Sequence, residues 1–325
     1  MSTLDRIPSG TRDVLPDEMR ELRALTERLR AVFDKNGYGE VYTPALEYER
    51  TFEWEQMTGS VPHPKYRMFD EHGNVLMLRS DMTVPIARLV GTRYPHVEPP
   101  LRFSYFAHAY RGVRSHRGQS RELLQAGVEL IGAPAPTGTA EALTLLAESL
   151  DAAGLKNYRI GLGDVTLYPR LLESCGVDAE SRERIIGELA SGDFVGVERE
   201  LGALQLPAED LALLLRVSRM RGGPELLENL DERLHDAGTG MREILALLTP
   251  ETAARVIFDF GLVRSIGYYT GAVFQVYDPT YGVPLGSGGR YDELLGNFGR
   301  RLPAVGFALD VESVHVALMG EEGNA

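Results

Sequence analysis

The chain has 325 residues, 43% hydrophobic and 25% charged, with 34 basic against 47 acidic side chains and a formal net charge of −13. That length gives one large or two modest domains with a core that needs no staples, and the acidic balance excludes an extensive nucleic-acid footprint while leaving room for a local basic pocket. No run of about 18 apolar residues marks a membrane span, no secretory leader is expected at the start, and Cys175, the only cysteine, excludes an intramolecular disulfide and leaves no basis for a cysteine zinc site, so the cytoplasm is the expected compartment.

The stretch PDEMRELRALTERLRAVFDKNGY sets Met19, Leu22, Leu25, Leu29, Val32 and Phe33 at spacings of three and four, which predicts an amphipathic helix stopped by Gly37. EVYTPALE follows as a strand. In YRMFDEHGNVLMLRSDMTVPIARLV, His72-Gly73-Asn74 predicts a turn between two strands, and a helix starts after Asp81. LRFSYFAHAYRGV alternates as a strand, ELLQAGVELIG returns, and residues 112–121 form a long basic loop between them. Residues 137–153 read as a helix and YRIGLGDV as a strand. From Leu167 to Leu248 the chain is rich in Leu, Glu and Arg, and SRERIIGELAS, FVGVERELGAL, PAEDLALLLRVSR, PELLENLDERLHDAG and MREILALL all read as helices. Strands resume in ARVIFDFGLV, YYTGAVFQVYD and VPLGSGGRYDELL, and AVGFALDVESVHVALMG gives a last strand and helix. Strands mostly adjoin strands, so the expected class is α+β, an antiparallel sheet flanked by helices. The expected division is a core from 1–166 and 251–325, with an all-helical insert at 167–250.

Arg111, Arg114, Arg117 and Arg121, with His116 among them, crowd into eleven residues. Guanidinium groups there suit bidentate capture of phosphate or carboxylate, and equally read as a solvated loop. Arg111 differs because it lies in the strand pattern, where a buried cation needs an anion. Asp81 and Thr83 fall at the end of a strand, and Gln125, Gly127 and Glu129 alternate onto one face. Carboxylates, an amide and a hydroxyl would suit an α-amino group or an imidazole; the other reading is a water-facing sheet side. Arg264 precedes the Gly-flanked pair Tyr268-Tyr269, and GSGGRYDELL offers a Gly-rich turn without the spacing of a phosphate loop.

In this order the pieces resemble the core of a class II aminoacyl-tRNA synthetase, that of histidyl-tRNA synthetase. GTRDVLPDE with the first helix is similar to the family's dimerisation motif, LRSDMT to its LRPEGT segment, and YRGVRSHRGQSRELLQAGVELIG to motif 2. LVRSIGYYTG and GGRYDELL are similar to its two histidine-specific motifs. The resemblance implies that Asp81, Thr83, Gln125 and Glu129 surround the amino group and imidazole of histidine, that Tyr268 and Tyr269 close over it, and that Arg111 and Arg264 take the arginine positions that serve adenylate formation. Two departures matter. Where the family's third motif reads GFAxGxERL, this chain has GFALDVESV, with Ser313 in place of the arginine that holds the triphosphate and Asp310 in place of a glycine. Loss of such a charge-assisted contact costs on the order of 1.5–3 kcal/mol, and an added carboxylate deepens it. The sequence also stops just after this motif, so the anticodon-binding domain is expected to be missing.

That combination resembles the regulatory subunits of ATP phosphoribosyltransferase. The resemblance implies a subunit without catalysis of its own that needs no cofactor or metal, binds neither tRNA nor membrane, and responds to L-histidine as effector. It also implies a self-dimer that pairs with the short-form catalytic subunit in a hetero-octamer. The alternatives are a truncated synthetase-like enzyme that activates histidine with ATP, and a scaffold with a vestigial pocket.

Overall fold

Pro16 opens the first helix, α1 (Pro16–Lys35), in a computed structural model that describes residues 7–52, 65–112, 120–228, 230–263 and 267–323. Proline suits this position, where its missing N–H would have no partner anyway. Leu22, Leu25, Leu29 and Phe33 are the buried stripe, whereas Met19 stays 39% exposed. Gly37, at φ +77°, takes the left-handed turn that ends the helix.

The strand expected at 40–47 is two strands. β1 (Gly39–Glu40) and β2 (Leu46–Tyr48) belong to different sheets. Pro44 lies between them, and a proline cannot donate to a ladder. β3 (Arg67–Phe69) and β4 (Val75–Leu78) form the expected hairpin, with Gly73 at φ +81° and the Asp70 carboxylate accepting from the N–H groups of His72 and Asn74. β2 pairs with the other edge of β4, giving a small antiparallel sheet in the order β2-β4-β3.

After α2 (Thr83–Arg93), the long strands β5 (Leu101–Tyr110) and β6 (Glu122–Ile131) pair over their full lengths. They are followed by α3 (Thr137–Ala153) and β7 (Arg159–Asp164). Next come α4 (Leu167–Ser174), α5 (Ala179–Ser191), α6 (Phe194–Gly202), α7 (Ala208–Val217), the two-residue strand β8 (Arg221–Gly222), α8 (His235–Leu247) and α9 (Pro250–Ala253). The helix expected at 224–238 is replaced by 3-10 turns at Pro224–Leu227 and Glu232–Leu234. Inside this range the Asp231 carboxylate turns back onto the N–H of Arg233, a local bond that competes with the helical ladder.

β9 (Val256–Asp259), β10 (Ala272–Asp278), β11 (Tyr281–Arg290), β12 (Ala304–Asp310) and α10 (Val311–Gly323) complete the chain. Among the described residues the main sheet has nine strands in the order β1-β5-β6-β12-β11-β10-β7-β9-β8. Its centre is antiparallel, as expected for the α+β class; β1 with β5 and β7 with β9 are the parallel pairs. Even-numbered residues of β6, including Ala126, Val128 and Leu130, pack with α1, α3 and α10 on one face. Odd-numbered residues of β5, among them Phe103 and Tyr105, pack on the other with α2, Tyr268 and Tyr291. The candidate site lies on that second face.

Candidate functional site

The register of three strands assembles the site. On β6, Glu129 stands opposite Phe103 of β5 and Gly306 of β12, Gly127 opposite Tyr105 and Ala308, and Gln125 opposite Ala107 and Asp310. These cross-strand partners point to one face, so Gln125, Glu129 and Asp310 share a floor made low by small residues. The glycines are needed where they stand. A Cβ on Gly306 would lie 1.9 Å from Glu129 Oε2, and one on Gly127 would lie 2.4 Å from the Tyr105 hydroxyl oxygen. On β11, a Cβ on Gly289 would lie 2.8 Å from the Tyr269 ring.

Glu129 is 1% exposed. The Thr83 hydroxyl, in the first turn of α2, donates to its Oε1 at 2.7 Å, and the Tyr291 hydroxyl donates to its Oε2. Burial pushes the Glu129 carboxyl up to about 8; the hydrogen bonds from Tyr291 and Thr83 oppose the rise, and the Asp81 carboxylate adds to it. Burial likewise holds the phenols of Tyr105, Tyr268 and Tyr291 well above their usual range, so these rings act as neutral hydroxyls. Tyr268 packs edge-on against Tyr269 at 4.9 Å and against Tyr291 at 5.6 Å between ring centroids. Asp81 accepts from the N–H of Val84 at 3.1 Å and acts electrostatically on Glu129, Tyr105 and Tyr268.

Gln125 is 7% exposed, and its Oε1 accepts no hydrogen bond from the described residues. A buried amide oxygen without a donor marks a place for a ligand's N–H or O–H group. Arg111 is half-buried just past β5, with its Nε 3.5 Å from the Ser80 carbonyl. Burial raises the Asp310 carboxyl; the N–H and then the hydroxyl of Ser313 pull it back, Glu312 adds to the rise, and the charge of Arg111 has the smallest effect, a lowering one. Asp81, Thr83, Gln125, Glu129, Tyr268 and Tyr269 are therefore brought together, with Arg111 within electrostatic reach of Asp310. Arg264 lies outside the described residues, as do Arg114, His116 and Arg117 of the basic loop. Arg121, the remaining arginine of that cluster, ties the start of the chain down: its Nε donates to Ser9 O at 2.6 Å and its Nη1 to the Tyr66 hydroxyl.

Tyr105 and Tyr291 were not among the residues expected at the site. Gly127, directly opposite Tyr105 on the neighbouring strand, was the available signal for the first; Tyr291 lies just past β11 and left no comparable one. A separate cleft of about 290 Å³ is lined by Asn36, Tyr38, Glu141 and Leu247. Tyr38 packs in the core of the opposite sheet face, and Glu141 is already bound by Arg102 at 2.9 and 3.0 Å and by the Tyr38 hydroxyl at 3.0 Å. Among the described residues no cluster of His, Cys, Asp and Glu is arranged to hold a metal ion, and no helix is long and apolar enough to cross a membrane.

Comparison with known proteins agrees with the fold. The family model described as histidyl-tRNA synthetase matches residues 10–314. The chain is 36% identical to an ATP phosphoribosyltransferase regulatory subunit from Desulforamulus reducens, over 99% of this chain and 81% of the relative. It is 39% identical to another from Symbiobacterium thermophilum, over 97% of this chain and 80% of the relative. The solved structure of an ATP phosphoribosyltransferase regulatory subunit/histidyl-tRNA synthetase from Bacillus halodurans superposes with a TM-score of 0.87 at 31% identity, covering 98% of this chain and 84% of that one.

Proposed function

This chain belongs to the family of ATP phosphoribosyltransferase regulatory subunits, built on the histidyl-tRNA synthetase fold, and from that premise we propose that it is a non-catalytic subunit that senses L-histidine for a short-form catalytic partner. The observation that carries the reading is the Glu129 pocket. Asp81, Gln125 and Glu129 offer acceptors for an ammonium and an imidazole, Thr83 and Tyr291 fix the central carboxyl, and the Tyr268-Tyr269 pair walls the space. Arg111 supplies the cation for the ligand's carboxylate.

In this reading the core is formed by residues 1–166 and 251–325, and the helical stretch 167–250 is an insert. The chain dimerises and joins the catalytic subunit in a hetero-octamer in the cytoplasm, without tRNA; its net charge of −13 favours a protein partner over a polyanion. Sensing requires histidine to favour one state of the complex by a coupling free energy of roughly 1–3 kcal/mol. The test follows phosphoribosyl-ATP formation by a short-form catalytic subunit alone, by this chain alone and by the mixture, each with and without L-histidine. Activity or histidine inhibition that appears only in the mixture is expected. A mixture that behaves like the catalytic subunit alone sinks the reading, and pyrophosphate release from ATP and histidine by this chain alone would put a synthetase-like activation in its place.

A further inference from the structure

The floor of the pocket carries one acid beyond those that surround Glu129. Asp310 ends β12 directly opposite Gln125 and on the same face as Glu129, with Gly306 and Ala308 leaving the strand between them low. Its position is fixed from behind, because Oδ1 accepts the Ser313 N–H at 2.8 Å and so caps the first turn of α10. Beside it, the Gln125 Oε1 is buried and has no donor among the described residues. Arg111 lies within electrostatic reach of the Asp310 carboxylate, as the smallest of the influences on it.

We propose that Asp310 is a ligand-selecting residue of this pocket: with Gln125 it forms an acceptor pair that takes the cationic or N–H-bearing end of a small ligand and turns phosphates away. The placement rests on the Glu129 pocket being a ligand site, as proposed above. Acceptors crowded on one face repel a polyanion, and a carboxylate on a low-dielectric floor does so more strongly than one in water. The negative charge of Asp310 within electrostatic reach of Arg111 offsets part of that guanidinium's pull on a ligand's own carboxylate.

Calorimetric titration of the full chain with L-histidine, L-histidinol and magnesium-ATP, in wild type and Asp310→Asn, tests this. Asparagine keeps the cap on α10 and removes the charge, and unchanged thermal denaturation would verify that the variant is folded. Histidinol has the ammonium and imidazole but no carboxylate. The expected result is that histidinol affinity falls about tenfold in the variant, the size of one lost charge-assisted contact, that histidine affinity falls less because the charge of Arg111 is no longer offset, and that ATP binds the variant at least about tenfold more tightly than wild type. Histidinol affinity that does not fall overturns the proposal. If wild type binds neither amino-acid ligand, the histidine-sensing reading fails and the ATP arm decides alone: tighter ATP binding by the variant upholds the selecting role of Asp310, and equal binding refutes it.

Discussion

At the scale of single residues, Glu129 governs the site, and its burial has a consequence for stability. Its carboxyl is raised from 4.5 to about 8. Below the lower value both folded and unfolded chains carry the proton, and between the two values only the folded chain does. Unfolding then releases a proton, so stability falls as pH rises through this window, by up to ~1.4 kcal/mol per pH unit, and levels off above it. Glu129→Gln keeps the shape and removes the titration. Urea denaturation from about pH 5 to about pH 8.5 should therefore show wild type losing stability relative to the variant as pH rises; parallel curves would mean that Glu129 is ionised throughout. Glu129 and Gln125 were legible in the sequence because alternation around Gly127 puts them on one face. Tyr291 was not: it donates to Glu129 across 162 positions of sequence, and only the strand register brings the two together.

At the scale of elements, the helical stretch after β7 is tied to the main sheet through β8, a strand that the sequence did not disclose. A two-residue strand has no periodicity to read. Arg221 pairs with Asp259 and Gly222 with Phe258, and the Phe260 N–H donates to Met220 O at 3.0 Å. The link is reinforced by Arg221 Nε on Asp259 Oδ2 at 2.7 Å, where Asp259 is 3% exposed and Arg221 is about half exposed at its side chain. Burial raises the Asp259 carboxyl and Arg221 holds it down. Arg221→Ala is expected to destabilise the fold by about 1 kcal/mol near neutral pH, less than for a fully buried pair because the guanidinium is solvated. The loss should shrink at acid pH, where Asp259 takes up a proton and no longer needs a counter-ion. Amide exchange in α7 and around β8 would locate the weakening; protection equal to wild type there would show that the backbone pairing alone holds the insert. The long elements were legible because their periodicity runs over many residues, as in α1, α3, β5 and β6, whereas the division at Pro44 and the 3-10 turns after Gly223 depend on where the neighbouring segments pair.

At the scale of the whole molecule, the proposed self-dimer needs a surface that the chain does not cover itself. The first helix was expected to take part through its motif, yet its stripe of Leu22, Leu25, Leu29 and Phe33 is spent inside the chain's own core. The small sheet offers an alternative. Tyr48 pairs with Leu76 and Leu76 with Met68, and Leu46 pairs with Leu78, so these side chains lie on one face. Leu46 is 41% exposed, Tyr48 43% and Met68 36%. An apolar sheet face of this kind on a chain of net charge −13 is costly to leave in water. A second copy related by a two-fold axis presents the same apolar face, and burying two such faces against each other removes the cost without pairing like charges. Tyr48→Glu and Met68→Glu would each place a carboxylate in that contact twice, once from each copy. Sedimentation velocity over a range of concentrations should show wild type as a dimer and the double variant shifted to monomer, with thermal denaturation confirming that each folds. If the double variant sediments as wild type does, the two-fold contact lies elsewhere on the molecule.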